Sequence, residues 1–361
     1  MLAGSQKLLP APIYPSFSYL AICMIVVTGG TGLIGSFLLR ELRARQLPVR
    51  ALYRGEVPPV DAPPGIEWVS GDLLDPLLLA QAVGSDVTHV FHCAGLVSYA
   101  PQDEEALLQV NVVGTANVVD ACLAQTGVRL GYVSSVAALG GRPAAAPVGG
   151  EVTLDETATW DLGASHPPYA TSKYLAELEV WRGAAEGLSA VIVNPSIVLG
   201  PGDWHRSSTR LLRYAYEQHR LFTRGTIHFV DVRDVVAQLL RLVLELPPAP
   251  AQRYILDGGS CPLGSFLRQA AQALGRRPPT VAVPDWAAEL IWRLEYARSL
   301  FTGARPLITR DTARAGRQLV QYDTRKVQNV TELGFRPLAD TIAWTTRQLA
   351  ANLASTTVVM K

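Results

Sequence analysis

The sequence predicts an α/β fold, a doubly wound, mostly parallel sheet with a smaller, mostly helical lobe towards the C-terminus. Three observations carry this. Short β-branched runs, nearly wholly apolar, recur at 25–28, 49–53, 67–70, 89–93, 129–134, 190–195 and 253–256. Amphipathic helical patterns such as 34–45 and 77–83 separate the early runs. A glycine-rich turn joins the first run to the first of those helices. Strands that alternate with helices form parallel βαβ units with right-handed crossovers. Strands buried on both faces read as continuous apolar runs.

The elements follow in order. The stretch 14–27 (YPSFSYLAICMIVV) is apolar enough to suggest a signal-peptide core. It runs straight into the glycine turn, however, and cleavage there would remove the first strand. Residues 1–23 are therefore expected to be an extension outside the fold, either disordered or the product of an upstream start. The first strand opens at Met24. Residues 26–35, VVTGGTGLIG, then place Gly29, Gly32 and Gly35 at equal spacing, with Thr31, Leu33 and Ile34 between them. One glycine permits the tight turn and another lets the backbone approach a pyrophosphate. The last lets the helix pack on the strand. The helix N-terminus offers free N–H groups and partial positive charge to phosphate. With a strand before it and a helix after it, the turn reads as a dinucleotide site, which makes the predicted fold Rossmann-type.

The second strand ends in VRALYRG, 49–55. An acidic residue at this strand end binds the ribose 2′-hydroxyl of NAD, whereas arginine suits a 2′-phosphate. Arg54 stands there, with Arg50 four residues earlier, so NADP(H) is favoured over NAD. GDLLD (71–75) closes the third strand, FHCAG (91–95) the fourth and YVSSVAALG (132–140) the fifth. The segment 142–150 (RPAAAPVGG) is low-complexity and reads as a surface loop. YATSK then pairs Tyr169 with Lys173 at i, i+4, on one helix face. A tyrosine phenol with a pKa of about 10 is a poor base, and a nearby ammonium would lower it.

Taken in this order, the strings resemble the extended branch of the short-chain dehydrogenase/reductase superfamily, the NAD-dependent epimerase/dehydratase group. VRALYR, HCAG and NPSIVLGPGD together are most similar to its dihydroflavonol-reductase-like subgroup. The resemblance implies a seven-stranded sheet and a set of roles. Asp72 would meet the adenine amino group and Leu73 would contribute through its backbone. Cys93, Ala94 and Gly95 would lie under the cofactor. Asn111, in NVVGTANVVDAC (111–122), would support a proton-relay water. Ser135, beside Ser134, would hold the substrate oxygen, and Tyr169 would exchange the proton. Lys173 would tune Tyr169 and bond the nicotinamide ribose. Pro195 and Val198, in VNPSIVLGPGD (193–203), would touch the nicotinamide amide. The aspartates and Arg233 of FVDVRDVV (229–236) would be structural. The resemblance is strong over about 24–260 and weak beyond.

The implied organisation is a nucleotide domain of 24–196 plus 228–260, and a substrate lobe of 197–227 plus 261–361. An apolar helix over 229–246 would return to the main domain. Net charge is +1 and no basic stripe occurs, so neither nucleic acid nor a membrane surface is expected as partner. No run reaches the ~18 consecutive apolar residues of a spanning helix. Cys23, Cys93, Cys122 and Cys261 are not spaced as a metal site or redox pair and read as buried thiols of a cytoplasmic protein. No metal-ligand cluster or hydrolytic carboxylate pair stands out. His92 reads as filling space beside the cofactor, His89 as near a turn and His166 as loop surface. Trp204, His205, Arg206 and Ser208 lie in the variable lobe. The spacing of Trp286, Trp292 and Tyr296 suggests a helical core stripe.

These features together predict an NADP(H)-dependent oxidoreductase that interconverts a ketone or aldehyde with an alcohol, as monomer or homodimer. Two other readings stay open: a nucleotide-sugar epimerase or dehydratase holding NAD, and a non-catalytic NADP-sensing or scaffold protein.

Overall fold

The computed structural model describes residues 24–55, 64–141, 150–204, 209–284, 320–359 and scattered positions between 286 and 298. The expectations for 1–23, 142–149, His205, Arg206, Ser208 and Tyr296 lie outside the described residues.

Seven strands form one parallel sheet: β1 (Met24–Thr28), β2 (Val49–Tyr53), β3 (Glu67–Ser70), β4 (Val87–His92), β5 (Arg129–Val133), β6 (Ser189–Pro195) and β7 (Gln252–Leu256). Their order is β7-β6-β5-β4-β1-β2-β3. This is a Rossmann-type sheet. The chain builds from β1 out to β3, then returns to β4 on the other side of β1. That reversal is the topological switch point, where ligands bind beyond the carboxyl ends of the strands. His89, placed by the sequence near a turn, lies within β4.

Alternation along each strand sends side chains to two cores. Ile25, Val27, Ala51, Phe91, Val133 and Val193 pack with α1 (Leu33–Ala44) and α6 (Val232–Leu240). Val26, Leu52, Val90, Leu130, Tyr132 and Ile192 pack on the other face with α2 (Pro76–Ala82), α3 (the helical run Pro101–Leu123) and α4 (Pro168–Ala185). By length and composition α3 is long and apolar enough to cross a membrane, although polar residues interrupt it. Leu107, Val118, Val119 and Cys122 on this helix are fully buried in the protein. Its turn Leu108–Val113 is wound as a π-helix.

A third core joins Leu199 and Phe229 to α5 (Thr209–Tyr216), α7 (Leu263–Ala273) and α9 (Leu338–Val359). Residues 229–231 differ from the expected helix. They finish the strand Thr226–Asp231, which pairs with Ile197–Leu199, and α6 starts only after Asp231, whose carboxylate accepts from the Arg233 N–H. Asp231 and Asp234 are both structural. Asp231 binds the Arg233 guanidinium, and Asp234 accepts from the Arg336 N–H at 2.7 Å. The chain that follows α8 (Arg325–Thr331) therefore straps back onto α6. Trp344 continues the strap, its ring 5.6 Å from Phe37 and under the Arg233 guanidinium. Trp286 is 72% exposed, so the expected core stripe does not form through it. Cys93, Cys122 and Cys261 are free thiols.

Candidate active site

The sequence-predicted residues converge along the carboxyl ends of β1, β4, β5 and β6, across the switch point. Gly29 turns the chain out of β1 at φ +71°, a conformation that side chains disfavour. A Cβ on Gly29 would fall 2.5 Å from the Ala94 nitrogen, and one on Gly35 would fall 2.2 Å from the Gly29 oxygen. The Gly32 N–H donates to the Gly29 carbonyl at 2.9 Å, closing the turn. Gly32 caps α1 without a side chain, and the first turn carries no acid. The amides of this helix start therefore meet neither a capping side chain nor a local negative charge, as a pyrophosphate requires. The cradle fits a dinucleotide.

The floor of the cradle is fixed from below. His92 is fully buried at the end of β4. Its ring nitrogens lie 2.6 Å from the Thr28 hydroxyl and 3.0 Å from the Thr115 hydroxyl, linking β1, β4 and α3. Burial, with Lys173 nearby, drives its pKa down to about 3, so the ring is neutral. This is more than the space-filling expected of it. Cys93 and Ala94 follow, with the Ala94 N–H directed at the Thr28 hydroxyl at 3.4 Å. Burial pushes the Cys93 thiol up to about 12. Gly95 lies where a Cβ would reach within 3.3 Å of the Asn111 side-chain oxygen.

At the β2 and β3 ends the two arginines separate. Arg50 is committed to Glu67 at 2.8 Å and Asp86 at 3.1 Å. Arg54 is exposed, one residue beyond β2. Asp72 caps its own turn by accepting from the Leu74 N–H at 3.0 Å. The Leu73 carbonyl accepts from Asn117 at 2.8 Å, a residue the sequence reading did not single out. Pro195 ends β6 and Val198 lies in Ile197–Leu199. Between them the buried Ser196 hydroxyl has no hydrogen-bond partner among the described residues.

The residues expected to handle the proton meet above β5. Tyr169 stands in the first turn of α4, buried, with the Ser135 side chain close enough to its hydroxyl to pull its pKa down. Its ring meets Tyr99 edge-on at 5.7 Å. Lys173 is buried one turn later, but its ammonium does not reach for the tyrosine. It donates to the Tyr132 hydroxyl and the Val133 carbonyl, both at 2.9 Å. Burial lowers the Lys173 pKa to about 8, against the opposing pull of Glu177. The sequence argument expected a lowered phenol. The structure holds Tyr169 above the usual tyrosine value instead, because burial and Tyr99 outweigh the lowering influence of the nearby Ser135 side chain. Asn111, on the π-helical turn, accepts from the Leu96 N–H at 2.7 Å and donates to the Leu96 carbonyl at 3.0 Å and the Ser172 hydroxyl at 2.9 Å. Both its amide hydrogens are thus taken. His166 is half-buried, stacked 3.8 Å from Trp160, which also stacks 4.3 Å from Tyr174, so the loop before α4 is an ordered aromatic pile.

Sequence reasoning also missed Tyr132, Glu177 and Asn194. Glu177 lay in plain view at i+4 from Lys173, on the same helix face. Tyr132 and Asn194 carry no spacing signal, since they act from strands across the sheet.

A dinucleotide cradle at the switch point with a buried tyrosine–lysine pair beside it defines a nicotinamide-dependent oxidoreductase or epimerase of the extended short-chain class. Residues 25–253 match the NAD dependent epimerase/dehydratase family, and the chain belongs to it. It is 33% identical over 88% of its length to a dihydroflavonol 4-reductase-like protein of Synechocystis sp., covering 93% of that protein. It is 31% identical to cinnamoyl-CoA reductase 1 of Oryza sativa, over 73% of this chain and 79% of the relative. The solved structure of gox2253 superposes with a TM-score of 0.76 at 30% identity, covering 91% of this chain and 98% of that one. MoeE5, solved with UDP-glucuronic acid and NAD, gives a TM-score of 0.67 at 25% identity, over 90% and 99% of the two chains.

Proposed function

We propose that the protein is an NADP(H)-dependent reductase that converts a small-molecule ketone or aldehyde to an alcohol, with Tyr169 as proton donor. The observation that carries this is the buried Tyr169 beside the Ser135 side chain, with Lys173 one turn along the same helix. The cofactor, when bound, supplies the hydride. Gly29, Gly32, Gly35 and the uncapped start of α1 would hold its pyrophosphate, and Arg54 would hold the 2′-phosphate. Ser135 and Tyr169 hold the carbonyl oxygen by two hydroxyl hydrogen bonds as negative charge develops on it. Tyr169 Oη then gives up its proton to that oxygen. Burial keeps the phenol protonated at neutral pH, as a donor must be, but also makes it a weaker acid, so the proton leaves readily only if the phenolate is stabilised.

Lys173 stabilises the phenolate that remains, once its ammonium turns from Tyr132 and Val133 towards the cofactor ribose and Tyr169. Asn111 keeps Ser172 and the Leu96 loop in place. Its amide hydrogens are engaged, so a relay water at this point takes its bonds from the remaining side-chain lone pair or the main chain. The reductase relatives support this direction of reaction, and Arg54 supports NADP(H).

The test is turnover of NADPH against a panel of ketones and aldehydes, with Tyr169→Phe beside the wild type. Removing the proton donor is expected to cost about 10²–10⁴ in kcat, with NADPH affinity nearly unchanged. Survival of turnover in the variant would show that another group donates the proton.

A further inference from the structure

Glu177 lies one helical turn beyond Lys173 on α4 and is 2% exposed. A buried carboxylate is costly unless its oxygens are satisfied. Here both are. One oxygen accepts from the Ser134 hydroxyl and from the Asn194 amide, each at 2.9 Å. The other accepts from Arg253 at 3.2 Å and from the Trp181 indole N–H at 3.4 Å. The Asn194 amide also donates to the Ser135 carbonyl at 3.0 Å. Lys173 and Glu177 therefore grip consecutive residues of one segment: the ammonium holds the Val133 carbonyl and the carboxylate holds the Ser134 hydroxyl. The next residue is Ser135.

We propose that Glu177 is a positioning residue: its carboxylate pins the turn that presents Ser135 and is the buried countercharge that keeps Lys173 an ammonium. The proposal rests on the catalytic reading of Ser135, Tyr169 and Lys173. Around this pair stand His92 and Cys93 at the end of β4, Tyr132 on β5, Tyr169 on α4 and Arg253 on β7. His92 is neutral, and burial holds Cys93, Tyr132 and Tyr169 in their protonated forms. Arg253 is itself paired to Glu177. That leaves Glu177 as the negative charge facing Lys173 among these groups. Removing it must shift Lys173 towards its neutral form.

The sequence makes this measurable without a substrate. The chain has only four lysines, Lys7, Lys173, Lys326 and Lys361. In protein labelled with ¹³C at the lysine ε-carbon, the Lys173 signal can be assigned by its loss in Lys173→Met and titrated by NMR. In the wild type, Lys173 is expected to titrate above neutrality, near pH 8. In Glu177→Gln its midpoint should fall by about one unit or more, while the signals of Lys7 and Lys361 stay put. Glu177→Asp, which keeps the charge, should restore most of the shift. A wild-type midpoint below neutrality overturns the proposal, as does an unchanged midpoint in a folded Glu177→Gln protein. If Glu177→Gln does not fold, the wild-type titration decides alone. The readout involves no turnover, so it can fail while the Tyr169→Phe test succeeds, and the reverse.

Discussion

The two ends of the candidate site are made of different materials. The nucleotide end is backbone: the turn of residues 29–35, the start of α1 and the Cys93–Gly95 floor, where the spacing between main chains leaves no room for a Cβ. The proton-handling end is side chain. Ser135, Tyr169 and Lys173 arrive from separate segments and are aligned by Tyr132, Glu177 and Asn194. At its glycine turn the first end is sensitive above all to size. The second should tolerate a change of size better than the loss of a hydroxyl, a proton or a countercharge.

The largest effect that would break this contrast comes from the smallest group. Gly29→Ala puts a methyl 2.5 Å from the Ala94 nitrogen at a φ of +71°. It is expected to cost on the order of 3 kcal/mol of stability and most of the NADPH affinity. Denaturant unfolding and a fluorescence titration would read both. Tyr169→Phe, a larger chemical loss, should leave stability and affinity close to wild type. If the two variants behaved alike, the division between a backbone end and a side-chain end would fail.

Acidification should act through the two histidines of β4, His92 at the join between the two ends and His89 further back along the strand. His92 and His89 are depressed from 6.5 to about 3 and about 4, chiefly by burial. Their folded pKa values lie below the unfolded value, so the unfolded chain takes up protons first as pH falls. The stability they contribute is present above about pH 6.5 and is lost progressively on the way down to those folded values. The melting temperature should drop steeply across that window. His92→Gln, where stable, should flatten part of the slope, and an unchanged slope would remove His92 from the account.

The smallest effect sharpens the comparison at β2. Arg50→Gln loses ion pairs to Glu67 and Asp86 side chains that are 49% and 47% exposed. It should cost less than about 1 kcal/mol and leave the preference between NADPH and NADH untouched. A changed preference would place Arg50, rather than Arg54, at the ribose.

The same contrast explains what the sequence made legible. The seven strands and the glycine turn were readable because each is local: a run of β-branched residues, a spacing of glycines, a helix period. Their positions agree with the structure to within a residue or two. Tyr169 and Lys173 were readable as an i, i+4 pair, and Glu177 extends that pair by one more turn. What could not be read depends on distant partners. His92 looked like a filler until Thr28 and Thr115 met its two nitrogens. Arg50 gave no local sign of its ion-pair partners until β3 brought Glu67 alongside it. The strand ending at Asp231 was hidden because its partner, Ile197–Leu199, lies far off in the chain. The direction of the Tyr169 shift follows from burial, which no local pattern states.

The measurement that bears most directly on the central claim is a fluorescence titration of the purified protein with NADPH and NADH, beside Arg54→Asp. The account predicts tighter binding of NADPH than NADH in the wild type, with NADPH affinity in the variant weakened by about tenfold or more, the value of a charge-assisted phosphate contact. Preference for NADH in the wild type, or a nucleotide that copurifies and cannot be exchanged, would contradict it.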